Sequence, residues 1–353
     1  MPSNRFLYID ILKGLAILGV ILVHFNAKWV CPSSALSSFS AVGARCPQLF
    51  FLISAFLTWG SINKKQINMR SFYVSRFYRL APVYYLSLII GLIVLRPEVG
   101  FVNILSHFLF LNALTPGWAN SILHVDWYIG DLALFYFMAP FLKRVIKDLN
   151  SSLVAFGISL LLSMGFTFFI RRYSGLELIE NSNIEMFVHT YCLINQLPAM
   201  ILGIIAYYLI KQDQLGTEKV KLLLWAFIPF TILFTIADIF LGLNKRLVTS
   251  SVVAGLWFFI LFVLSYYTER SIYKVGIAPL RIFKPLNSLG ANSYGIYCFH
   301  VIVIFAVGLV LREYQVNSIT MWVLLFILVC SLSYLIGFLV EKMMQRIIVD
   351  RIK

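Results

Sequence analysis

Charge is what this sequence has least of. Only 12% of its 353 residues are Asp, Glu, Lys or Arg, and the acidic kind is the rarer, 15 against 29 basic. A soluble globular domain carries roughly 25% charged residues, so that class is excluded. Gly/Ser/Pro-rich linkers, charge blocks and internal repeats are also missing, and with them any mark of a second domain. One integral-membrane unit over residues 1–353 is expected. A secretory leader is not expected either: Asp10 and Lys13 interrupt the place for an apolar h-region, and no small-residue cleavage motif follows. The first hydrophobic segment is therefore expected to remain in the mature protein. Cysteines number five. Cys31 and Cys46 alone fall together, in or beside the first external loop, where a disulfide and two free thiols both fit.

What fills the chain instead is 60% hydrophobic and 16% aromatic residues. A membrane span takes about 20 apolar residues. Such runs fall near 7–25, 41–62, 79–95, 123–142, 152–170, 187–210, 220–241, 248–267, 288–311 and 318–340. The fold class expected is an all-α polytopic membrane protein of about ten transmembrane helices. Sorting Lys and Arg by alternate loops puts twenty on one side, among them Arg5, Lys64, Arg76, Arg79, Lys143, Lys211, Arg281 and Lys342. The other side holds eight: Lys28, Arg45, Arg96, Arg171, Arg172, Lys245, Arg246 and Arg312. Basic loops stay in the cytoplasm, so both termini are expected there. The +14 net charge is thus topological, and no nucleic-acid partner is expected.

Against that apolar background "YIDILKGLAILGVILVHFN" stands out. A charged side chain at mid-bilayer costs roughly 2.5–3.5 kcal/mol on insertion scales, and such residues are functional candidates. At 100° and 1.5 Å per residue, Lys13 and His24 lie on one helix face, about 16 Å apart along the axis. Asp10 is three residues before Lys13, close enough to pair with it. One stripe would carry carboxylate, ammonium and imidazole toward a bundle interior or polar cavity. An interfacial ion pair with a loop-proximal histidine is the plainer alternative.

Lys13 and His24 with "QLFFLISAFL", "RFYRLAPVYYL", "DWYIGDLALFYFMAP" and "SYGIYCFH", in that order, resemble segments of the family 3 membrane acyltransferases. Lys13, ten intervening residues and His24 match a basic-x10-His signature in which arginine is the commoner basic residue. "QLFFLISAFL" is similar to FF-x-x-S-G-F-L, with Ala55 in the glycine position; small Ser54 and Ala55 suit close helix packing. "RFYRLAPVYYL" resembles R-x-x-R-I-x-P-x-Y and supplies Arg76 and Arg79, three residues apart and expected on one face of an entering helix. "DWYIGDLALFYFMAP" shares the Trp127, Phe135, Tyr136 and Pro140 pattern. It departs in carrying Leu132 where many relatives have glutamate, with Asp131 one residue earlier and so about 100° away. "SYGIYCFH" resembles S-Y-G-I-Y-x-x-H, where His300 reads as a packing histidine.

The resemblance implies a membrane O-acyltransferase that moves an acyl group, usually acetyl from acetyl-CoA, to a hydroxyl of a surface glycan such as lipopolysaccharide O-antigen or exopolysaccharide. It also implies a multi-pass protein of the bacterial cytoplasmic membrane with lipid, acyl-CoA and glycan as partners. His24 is the candidate general base, since imidazole accepts protons near neutral pH; a transient acyl-histidine is the other mechanism. Lys13 and Asp10 complete the catalytic group. Arg76, Arg79 and Lys13 are candidates for CoA phosphates, because guanidinium binds phosphate through paired hydrogen bonds. Asp126, Trp127 and Asp131 are candidates on the acceptor side, with solvated headgroup-level positions the plainer reading for His124 and Asp126. No metal is expected. A multi-span secondary transporter of a small anionic or sugar-like solute, with buried charges at mid-membrane, is the alternative function.

Overall fold

The computed structural model describes residues 7–63, 68–173, 186–211, 225–233, 235–236, 250–274, 283–311 and 316–352. Among them the chain is helical with connecting loops. The helices are α1 (Leu7–Lys28), α2 (Ser34–Ser40), α3 (Cys46–Ile62), α4 (Met69–Val94), α5 (Phe101–Phe108) and α6 (Trp127–Val145). They continue with α7 (Leu149–Tyr173), α8 (Leu193–Lys211), α9 (Ser250–Lys274), α10 (Lys284–Ala291), α11 (Ser293–Leu311) and α12 (Ile319–Ile352). Among the described residues eight helical stretches are long and apolar enough to cross a membrane. Of the other two expected spans, 123–142 forms the helix Trp127–Val145, which starts later, and 220–241 lies largely outside the described residues. Much of the loop charge, including Arg5, Lys64, Lys65, Lys219, Lys221, Lys245, Arg246, Arg281 and Arg312, is likewise outside them.

Burial is inverted relative to a water-soluble protein. Leu161, Leu324 and Val310 are 70%, 62% and 83% exposed, while Gln48, His107, Asp126, Asp131, Asn195 and His300 are fully buried. Lipid contact favours apolar exteriors and polar groups turned inward.

Helix ends follow local chemistry. Asn68 starts α4 by accepting hydrogen bonds from Arg70 N–H (2.9 Å) and Ser71 N–H (3.4 Å), satisfying donors the helix cannot. This cap sets the start of α4 at Met69, ten residues before the expected span edge, and so places Arg76 and Arg79 on regular helix. Pro285 sits in the first turn of α10, where a missing N–H costs nothing.

The arrangement around α1 positions the site. A Cβ on Gly290 would overlap the Asp10 carbonyl, and one on Gly14 would overlap the Leu286 carbonyl. Backbones this close need glycine on both sides, the small-residue packing of membrane helices. From that crossing α11 runs alongside α1 in the same direction: His300 lies against His24 and Gly308 against Lys28. The last helix, α12, runs back antiparallel. Trp322 Nε1–H donates to the Trp29 carbonyl at 2.8 Å, and Gly337 packs directly on Gly295 and Ile296. A second bundle joins on the far side, where Gln48 of α3 donates to Gln196 of α8 (3.0 Å) and Ser251 of α9 (3.2 Å). Cys31 and Cys46 are both buried and free.

Candidate active site

Asp10 is 3% exposed, and its Oδ1 lies 3.1 Å from Lys13 Nζ. The i,i+3 spacing makes the pair, and pairing offsets the desolvation each ion would suffer alone. Lys13 then lines a cavity of about 380 Å³ enclosed by α1, α3, α4, α6, α11 and α12. Its other charged lining groups are Arg79 and Glu341, and Tyr78, Tyr128, Tyr136, Tyr294 and Tyr297 line it as well. Glu341 accepts a hydrogen bond from the Gly295 N–H at 2.5 Å, at the N-terminus of α11, where backbone donors are otherwise unmet.

The cavity wall is held rigidly. The Tyr294 hydroxyl donates to the Leu80 carbonyl at 2.8 Å, and the Tyr297 hydroxyl to the Val125 carbonyl at 2.8 Å. Tyr128 packs on Phe51 and Tyr297, with ring centroids 4.6 and 4.9 Å away.

Arg76 and Arg79 part ways. Arg79 lines the cavity. Arg76 is 9% exposed, lies between the Phe72 and Tyr136 rings at 5.2 and 5.1 Å, and donates to Ser61 Oγ at 2.5 Å. Three residues on a helix are 300°, not a full turn, and this offset turns Arg76 into the protein.

His24 is not part of the cavity lining. It is half-buried and stands one ring further on: Tyr297, at the cavity's inner end, contacts the His300 ring at 5.7 Å, and His300 contacts the His24 ring at 5.2 Å. His300 is fully buried. His124 is exposed and in the left-handed region at φ 59°. A non-glycine residue held there is strained, and such strain gathers at functional sites.

The three acceptor-side candidates do not meet in this cavity. Asp126 is fully buried rather than solvated at the headgroup level. Its Oδ2 lies 2.7 Å from His107 Nε2 and accepts from the Ile122 and Leu123 N–H groups at 3.2 Å each. His107 Nδ1 in turn reaches the Asn103 carbonyl at 2.9 Å. This pair braces the irregular loop 109–126, whose buried backbone groups must be satisfied within the protein. His107 carried no distinguishing sequence signal beyond being an ionisable residue near an apolar run. Trp127 packs against Tyr191 and Phe51, ring centroids 5.3 and 5.9 Å away. Asp131 is fully buried, and neither carboxyl oxygen has a hydrogen-bond partner among the described residues. No cluster of three or more His, Cys, Asp or Glu side chains stands where it could hold a metal ion, among the described residues.

A family model described as an acyltransferase domain, that of family 3, matches residues 6–340. The chain belongs to the family 3 membrane acyltransferases. It is similar to a protein of Acidianus two-tailed virus whose name provisionally assigns it as an acetyltransferase, 25% identical over 318 residues, which is 88% of this chain and 87% of that one. It is also similar to proteins of Staphylococcus aureus strains COL and MSSA476, provisionally named O-acetyltransferases. Each is 23% identical over 331 residues, covering 84% of this chain and 50% of theirs. The chain thus corresponds to about half the length of those staphylococcal proteins.

Proposed function

We propose that this acyltransferase moves an acetyl group from acetyl-CoA to a hydroxyl of a surface glycan, with His24 as general base. The observation that carries the reading is the cavity lined by Lys13 and Arg79, whose Tyr297 wall packs on the His300 ring and through it on His24. A volume of about 380 Å³ lies near the lower end of small-molecule sites, which run roughly 300–1,000 Å³. It suits the slender pantetheine arm, with the nucleotide left at the mouth. There the two cations meet its phosphates, Arg79 through directed hydrogen bonds and Lys13 as a point charge. On this reading the mouth faces the cytoplasm, where acetyl-CoA is made, and the membrane need not pass a whole coenzyme.

The glycan approaches from the His24 and His124 face. Its hydroxyl oxygen attacks the thioester carbonyl carbon, the C–O bond forms, and the proton passes to the free nitrogen of His24. The C–S bond then breaks and the proton is returned to the departing thiolate. Base assistance of this kind is worth roughly 10²–10⁴-fold. The Tyr128–Tyr297 contact closes the inner end of the cavity, so the thioester must pass these rings to reach His24. A bacterial cytoplasmic membrane, with an O-antigen or exopolysaccharide as acceptor, fits this chemistry.

The test is acetyl transfer from labelled acetyl-CoA by purified protein in lipid nanodiscs, comparing wild type with His24→Ala at equal folded yield. Loss of at least about 10²-fold is expected; undiminished turnover overturns His24 as base. Labelled protein accumulating without acceptor would replace direct transfer by an acyl-histidine. Mass and NMR comparison of surface glycan from cells with and without the chain identifies the acceptor.

A further inference from the structure

His300 makes a contact that its place in the sequence does not explain. Its Nδ1 lies 2.7 Å from the Tyr297 carbonyl oxygen. A carbonyl only accepts, so Nδ1 carries the proton, and in the neutral ring Nε2 is left as a lone-pair acceptor. That nitrogen is buried and has no hydrogen-bond donor among the described residues. The ring it belongs to is fully buried and lies 5.2 Å, centroid to centroid, from His24 at an angle of 56°. A buried acceptor without a donor is costly; the neighbouring His24 ring makes no hydrogen bond to it in this structure and would supply the N–H on turning toward it.

We infer that His300 is a positioning residue for His24: its Nε2 accepts one N–H of His24, which fixes the His24 tautomer and leaves the other His24 nitrogen bare toward the acceptor hydroxyl. Once His24 has taken the hydroxyl proton it bears two N–H groups, and His300 still accepts one of them. No proton leaves His24 for His300. A carboxylate does this work in a Ser-His-Asp triad; a neutral imidazole does it here without placing a negative charge in the bilayer. The inference rests on the proposed role of His24.

Two substitutions and one spectroscopic measurement test it. His300→Gln keeps an acceptor oxygen in reach of His24 and an amide N–H for the Tyr297 carbonyl, whereas His300→Phe keeps the ring shape and removes the acceptor. In nanodiscs, His300→Phe is expected to lower kcat at least 10-fold with KM for acetyl-CoA unchanged, and His300→Gln to recover most of the loss. Nitrogen-15 histidine spectra of the unsubstituted protein are expected to show His24 in one dominant tautomer, and His300→Gln to preserve it. Wild-type kcat in His300→Phe overturns the inference, as does equal loss in both variants or a mixed His24 tautomer in the native protein. The spectrum decides if His300→Phe does not fold. Full activity in His24→Ala would instead remove the proposed base; an inactive His24→Ala beside an active His300→Phe removes only the role of His300.

Discussion

Arg76 and Arg79, three residues apart on α4, serve different ends: Arg79 lines the cavity that Lys13 enters, and Arg76 is stacked between Phe72 and Tyr136. Arg79→Ala should therefore raise KM for acetyl-CoA roughly 10- to 100-fold, since hydrogen bonds to charged groups contribute about 1.5–3 kcal/mol, with kcat less affected. Arg76→Ala should chiefly lower the yield of folded protein. Steady-state kinetics beside thermal melting of each variant separates the two; identical signatures would count against the division.

Lys13→Arg should retain substantial activity and Lys13→Ala should lose most of it, because the charge beside Asp10 and at the cavity is kept in the first only. Lys13→Ala leaves a buried Asp10 carboxylate without this partner, a defect that Asp10→Asn should partly relieve. The double variant is thus expected to melt above Lys13→Ala while remaining inactive. Near-wild-type rates for both Lys13 variants would take this residue out of the site.

The loop brace makes a stability prediction. Removing one partner of a buried polar contact strands the other, at a cost of about 1–3 kcal/mol, so Asp126→Ala and His107→Ala should each lower the melting temperature markedly. Their effects should be far from additive, because both remove the 2.7 Å contact. A double-mutant cycle in thermal melting measures the coupling.

Gly290→Ala should destabilise by obstructing the approach of α10 to α1. The added Cβ would fall on the Asp10 carbonyl backbone, which no side-chain rotation can relieve. Lower folded yield is expected, with activity falling in parallel because the same crossing carries Lys13. Gly157→Ala is the control, since nothing lies within 4 Å of the corresponding Cβ.

The sequence made local relations legible and distant ones not. Asp10 and Lys13 pair because their spacing is a helical one, and the apolar runs declare the membrane helices directly. The His24–His300 contact joins residues 276 positions apart in the numbering, and its basis is the glycine crossing of α1 with α10. Periodicity within one helix carries no information about which other helix it meets. His300 was readable as a packing histidine because Tyr294, six residues earlier, lies on a different face; the face it does present is toward α1. Asp126 was misplaced for a related reason. A carboxylate beside a span edge looks solvated until the partner that buries it, His107, is brought over by the fold of the intervening loop.

The glycine contacts of α1 have a consequence for biogenesis. The cavity that Lys13 enters is walled by α11 and α12, whose residues are synthesised about 280–340 positions after it. The opening helix must therefore wait in the bilayer while the rest of the chain is inserted. During that interval the neighbouring carboxylate is the companion that lets an ammonium reside there, so one short-range contact chaperones the helix until its permanent neighbours arrive.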